Sequence, residues 1–281
     1  MGFFNNKKEE TPKDENPEFL ALVTRWDNYL AKIEARFYEA LEQGEKAVME
    51  NFHNNNLDID TASTAITGIV KQVDNLIENI DDTYRNKVLP SFLEYKEQWQ
   101  LKAEYRKGVS LASRLHSELK DFDTIVYGKM AEEFFIHTTK KLDKDVKCTQ
   151  CNASITINKE ILHAQYITCN YCNTVNTFVP SDDISMESRR AITSIAAYKT
   201  IKEHQAVESI KRKIQSFNKR KERESIIKAF EERERLELDY WTKFYTEYYK
   251  MLPEFEKDLE SSVQQKMNHY FYDDRMRALK F

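Results

Sequence analysis

Apolar residues recur at helical spacing along most of this chain. Asn16-Pro17-Glu18 reads as a helix start, with Asn at the cap and Pro in the first turn. Phe19, Val23, Trp26, Leu30, Ile33, Phe37, Leu41 and Val48 follow at spacings of three, four or seven, which places them on one helix face. That stripe stops near Asn54-Asn55-Asn56. A second stripe comprises Ala62, Ile66, Ile69, Val73, Leu76, Ile80, Tyr84 and Val88, and Pro90 is expected to end or kink its helix. A third runs from Phe92 through Trp99, Val109, Ala112, Leu115, Leu119, Phe122, Val126 and Met130 to Phe134. It ends among Lys140, Lys141 and Lys144, cations suited to a helix C-terminus.

Helical periodicity returns in the C-terminal third. Ser181-Asp182-Asp183 can cap a helix whose face is marked by Ile184, Ile192, Ile195, Ile210, Ile214 and Phe217. The stretch from Lys211-Arg212-Lys213 to Arg235 is mostly charged, as expected of a solvated helix or a two-stranded seam. An aromatic stripe follows, from Trp241, Phe244, Tyr245 and Tyr248 to Phe271, with Pro253 as a candidate break. As one helix, residues 183–252 would span roughly 100 Å. A kink, a hairpin or a protruding coiled coil is therefore expected.

Between these helical halves the period changes to two. Ile155 and Ile157 alternate with Ser154 and Thr156. Val175, Thr177 and Val179 alternate with Asn176 and Phe178. Short strands account for this. The same segment holds every cysteine of the chain, as Cys148-x2-Cys151, seventeen residues, and Cys169-x2-Cys172. Two thiolates on each of two tight turns can complete a tetrahedron around one zinc ion, and the spacing lies in the range of structural zinc sites. A tight Cys turn commonly needs positive φ just past its second cysteine, where Asn is the most tolerant residue after Gly. Asn152 and Asn173 stand there. Four thiols leave no open metal position for chemistry. His163 lies between the pairs and reads as a surface or packing residue.

Residues 147–180 resemble a zinc ribbon, a small β module with two Cys turns around one zinc. The resemblance implies a structural Zn2+ on Cys148, Cys151, Cys169 and Cys172, and it leaves function open. A module this small buries too little apolar surface to fold unaided, so the metal supplies the missing stability.

Composition sharpens the picture. Only 5 Gly and 5 Pro occur in 281 residues, so turns are scarce and elements long. Charged residues make up 32% and the net charge is −4, which gives no general attraction to nucleic acid or anionic membrane. Residues 202–235 are the basic exception, with 11 Lys/Arg against 7 Asp/Glu. No apolar run approaches the roughly 18 residues of a membrane span. The N-terminal MGFFNNKKEE lacks the apolar core of a secretory signal, and Asn6 stands where an acylation signal needs Ser or Thr. An intracellular, cytoplasmic location is expected, with thiols reduced.

No Gly-rich phosphate loop, GxSxG elbow or HExxH pair appears. The two Glu-x-x-His matches, Glu50 to His53 and Glu160 to His163, do not both fall on helices, as a di-iron bundle would require. Glu132, Glu133 and His137 read as an exposed polar cluster. The expected fold is mainly α: long helices forming a bundle or coiled coil, with a small inserted β zinc ribbon. Its segments are a flexible lead-in (1–16), an N-terminal helical region (17–145), the ribbon (146–180) and a long-helix region (181–281). The expected role is non-enzymatic: a scaffold or adaptor for a macromolecule, foremost a protein, with self-association through exposed helix faces as a further route. The alternative is a nucleic-acid-associated factor that adds Lys211, Arg212, Lys213, Lys219, Arg220, Lys221 and Arg223 to the ribbon as phosphate contacts.

Overall fold

The structure is a computed structural model and describes residues 16–142, 146–156, 165–178, 182–217 and 222–279. The lead-in before Asn16, Ser181 and His163 lie outside the described residues. The fold is mainly α with a small β insert. Its elements are α1 (Pro17–Asn54), α2 (Ile59–Thr83), α3 (Leu89–Leu93), α4 (Lys102–Leu142), β1 (Val146–Lys147), β2 (Ser154–Ile155), β3 (Gln165–Thr168) and β4 (Val175–Phe178). After these come α5 (Asp182–Lys199), α6 (Ile201–Ser216), α7 (Arg223–Lys250), α8 (Leu259–Lys266) and α9 (Asp273–Leu279). No helix among the described residues is long and apolar enough to cross a membrane.

The chain divides into two compact units. One comprises residues 1–48 and 64–122, the other residues 49–63 and 123–281.

In the first unit, Asn16 caps α1 as its sequence suggests, its Oδ1 accepting the Glu18 N–H at 2.9 Å. Trp26, Ile33 and Phe37 of α1, Ile66 and Ile77 of α2, and Leu101 and Leu115 are all buried. Each such side chain contributes about 1.5–3 kcal/mol on leaving water. Polar contacts along the edges set the helix directions. Lys107 pairs with Asp27 at 2.8 Å and Arg114 with Glu34 at 2.6 Å, so α1 and α4 run parallel here. His116 lies 3.1 Å from Asp74, while the position of a Cβ on Gly108 would lie 3.2 Å from Ile80, so α2 runs opposite to α4.

Two irregularities interrupt this pattern. Pro90 does not end the helical path. A π-helical turn, Tyr84–Val88, precedes it and takes up the lost N–H and the ring's clash with the previous turn. The expected third stripe is also interrupted. After α3 the chain turns through a 3-10 segment, Gln98–Leu101, before α4 begins. Trp99, within that turn, is 64% exposed while Leu101 is buried; on α4 Val109 is 46% exposed, beside the buried face of Leu111 and Leu115.

In the second unit the long C-terminal helix is hairpinned. It is interrupted at Thr200, and α6 ends at Ser216 before α7 begins at Arg223. Lys243 of α7 pairs with Glu203 of α6 at 2.9 Å, and Lys213 with Glu232 at 3.8 Å, so α6 and α7 are antiparallel. Ile192, Tyr249 and Leu252 form one apolar cluster, and Ala196, Val207, Tyr240 and Phe244 a neighbouring one. Pro253 ends α7 as anticipated and opens a 3-10 segment, Pro253–Asp258. Beyond it, Val263, Met267 and Phe271 pack against Ile226 and Phe230. Trp241, the first residue of the aromatic stripe, is half-buried, and Lys266 lies 5.0 Å over its ring.

The charged stretch of α7 is not wholly solvated. Arg233 and Glu237 are 5% and 3% exposed. Arg233 lies over the Phe230 and Phe271 rings at 5.9 and 5.4 Å and bonds Glu237 and Asp274, each at 3.1 Å.

Candidate metal centre

The four cysteines sit on two turns of the same construction. In the first, the Cys148 N–H donates to Ala153 O at 2.8 Å and the Asn152 N–H to Cys148 O at 3.0 Å. In the second, the Cys169 N–H donates to Thr174 O and the Asn173 N–H to Cys169 O, both at 2.9 Å. Each turn closes through a residue in the left-handed region, Asn152 at φ 60° and Asn173 at φ 59°. This conformation costs most residues about 1–2 kcal/mol, and the short amide side chain of Asn tolerates it. Antiparallel strand pairs carry the turns: β1 with β2, and β3 with β4.

The turns bring the sulfurs together. All four Sγ atoms lie within 4.8 Å of one another. Cys148 Sγ is 3.5 Å from Cys172 Sγ, and Cys151 Sγ is 3.6 Å from Cys169 Sγ. A tetrahedral ion with metal–sulfur bonds of about 2.3 Å has sulfur–sulfur edges of about 3.8 Å. The cluster therefore has the size and donor set to hold one metal ion. Backbone N–H groups also suit thiolates, the Tyr171 N–H pointing at Cys169 Sγ from 3.4 Å.

The electrostatics favour a cation. The N–H groups of Cys151 and Gln150 pull the Cys148 thiol down to about 6. The Ala153 N–H favours the Cys151 thiolate as well, but the sulfurs of Cys172, Cys169 and Cys148 outweigh it and push that thiol up to about 12. Sulfurs this close do not all ionise without a cation among them.

The two turns are cross-tied by residues that the cysteine spacing does not reveal. Buried Asn176 of β4 accepts from the Thr149 N–H at 2.9 Å and the Thr149 hydroxyl at 3.0 Å. Its Nδ2 donates to Thr174 O at 3.0 Å and lies 3.6 Å from Cys148 Sγ. The Thr174 hydroxyl donates to the Gln150 side-chain carbonyl, a second link between the turns. Asn is depleted in strands, so Asn176 within an alternating segment is a weak cue.

The β3–β4 hairpin has one face turned outward. Tyr166, Thr168, Val175 and Thr177 are exposed, and Gln165 and Asn176 are buried. Tyr166 is 76% exposed and Tyr171, at the tip of the second turn, 79%.

The other candidates are dispersed. Lys211 pairs with Glu208 at 3.0 Å and with buried Glu237 at 3.5 Å, and Lys213 pairs with Glu232. Arg223 opens α7, while Lys219, Arg220 and Lys221 lie outside the described residues. Glu133 does not pair with His137. It meets His53 at 2.6 Å, and Glu132 meets Lys199 at 2.9 Å. Among the described residues, the cysteines are the one group of three or more metal-ligating side chains that converges.

No protein-family model, curated protein or solved structure matches the chain.

Proposed function

We propose that this chain is a non-enzymatic, cytoplasmic adaptor that presents a zinc ribbon to a protein partner from a helical framework. Cys148, Cys151, Cys169 and Cys172 hold one structural Zn2+. The observation that carries this reading is the exposure of Tyr166, Tyr171 and Val175, at 76%, 79% and 58%, on the module where the four sulfurs converge. Exposed tyrosines on a rigid support are the usual anchors of protein interfaces, offering large contact area and a hydroxyl at little entropic cost. Four thiolates saturate the metal, so its role is to fix that surface. The nucleic-acid reading has less support, because Lys211 and Lys213 face carboxylates.

The test is crosslinked capture from native cells, with and without nuclease, comparing the wild-type chain with a Tyr166→Ser/Tyr171→Ser variant that retains its zinc. A protein that survives nuclease and is lost with the double variant supports the adaptor. A partner held equally by the variant contradicts the tyrosine surface, and partners that vanish with nuclease contradict a protein target.

A further inference from the structure

The first helical unit carries a cavity that the adaptor reading does not use. It has a volume of about 530 Å3, and the residues that shape it include Tyr84, Arg85, Trp99, Leu101, Lys102 and Tyr105. Small-molecule sites commonly measure about 300–1,000 Å3, mainly apolar with a few polar groups. A second cavity of about 340 Å3 shares Tyr84, Arg85 and Tyr105 with it and continues past Ile80, Gly108 and Val109.

The aromatic wall is held in place before anything binds. Trp99 is 64% exposed, yet its indole N–H donates to Glu97 Oε2 at 2.6 Å. Glu97 is itself fixed by a capping box with Gln100, whose Oε1 accepts the Glu97 N–H at 3.0 Å. A large exposed ring would otherwise rotate freely, and fixing it removes part of the ordering cost of binding. Tyr84 and Tyr105, which also line the cavity, have rings 5.1 Å apart.

The charge of the wall is one-sided. The larger cavity is lined by two cations, Arg85 and Lys102, and by no carboxylate. Asp81 partly neutralises Arg85 at 2.6 Å from the smaller cavity, which leaves Lys102 as the main positive group. We infer that this cavity binds a small amphipathic anion with a planar aromatic body. Its ring lies against Trp99 and Tyr105, its anionic group lies at Lys102, and an apolar extension follows the second cavity.

Two dyes of nearly the same shape test this on the full chain: 8-anilinonaphthalene-1-sulfonate, and the uncharged N-phenyl-1-naphthylamine. The sulfonate should bind at one site per chain. Trp99→Ala should weaken both dyes about tenfold, and Lys102→Glu should weaken the sulfonate about fivefold and leave the neutral dye unchanged. Circular dichroism melts of both variants should match wild type, since both side chains are at the surface. Absent binding, or binding insensitive to both variants, overturns the site. Equal response of the two dyes to Lys102→Glu overturns the anionic preference. Should Trp99→Ala melt early, Tyr105→Ser serves in its place with the same expected loss.

Discussion

The side-chain carbonyl of Asn176 accepts the backbone N–H of Thr149 at 2.9 Å, joining the second strand pair to the first cysteine turn. The same residue's Nδ2 lies 3.6 Å from Cys148 Sγ. Asn176 thus orients one thiolate and ties the two turns together without being a ligand. Asn176→Leu should keep all four thiols yet weaken zinc binding about 10–100-fold, the usual effect of losing a partner of a metal ligand. A competition titration with a chromophoric chelator reads this directly. An unchanged affinity would remove Asn176 from the metal's support.

The left-handed turns make a finer prediction. At Asn173, with φ 59°, Gly should hold metal as well as the native residue, while Ala should lose about 1–2 kcal/mol, or about tenfold in affinity. If the two variants bind alike, the turn conformation is not what limits the site.

Proton competition has a defined sign. With Cys148 drawn down to about 6 and Cys151 pushed up to about 12, the metal-free cluster near pH 7.5 carries a thiolate at the first and a thiol at the second. Zinc must displace the remaining protons, so its affinity rises with pH between 6 and 8 and falls on acidification. Calorimetry in buffers of different ionisation enthalpy should show net proton release at pH 7.5. A value of zero would contradict the mixed protonation.

Arg233 and Glu237 form a buried ion pair along α7. Glu237→Ala removes one partner from a guanidinium enclosed by Phe230 and Phe271, with Asp274 still bonded. The expected cost is about 3 kcal/mol, at the low end for a broken buried pair. The paired change Arg233→Met/Glu237→Leu should restore much of it, because no charge is left buried. Chemical denaturation of the three proteins distinguishes this from a surface pair, which would change stability by less than about 1 kcal/mol.

Helical periodicity identified the mainly α architecture, because most buried positions of α1 and α2 are apolar residues at helical spacing. Asn16, Pro253, Asn152 and Asn173 were legible for the same local reason: each acts on its own backbone or on that of a residue close to it in the chain. What escaped depended on contacts far apart in the chain. Trp99 fits the stripe in spacing, but it falls in the 3-10 turn at Gln98–Leu101 and is exposed, while Val109 lies on α4 beside the face that Leu111 and Leu115 bury. Arg233 and Glu237 look solvated in a charged stretch until Phe271 and Asp274, some forty residues on, enclose them. In β4 the hydrophobic rule points the wrong way. Val175 faces water while Asn176 is buried, since the inner face serves sulfur and hydrogen bonds and not an oily core.

The most direct test is native mass spectrometry of the intact chain beside its Cys169→Ser variant, paired with far-ultraviolet circular dichroism. One zinc per wild-type chain is predicted, with none in the variant and nearly all helicity retained. A wild-type chain without zinc, or a variant whose helices collapse with the loss of one thiol, would contradict a metal-built module carried by a helical framework.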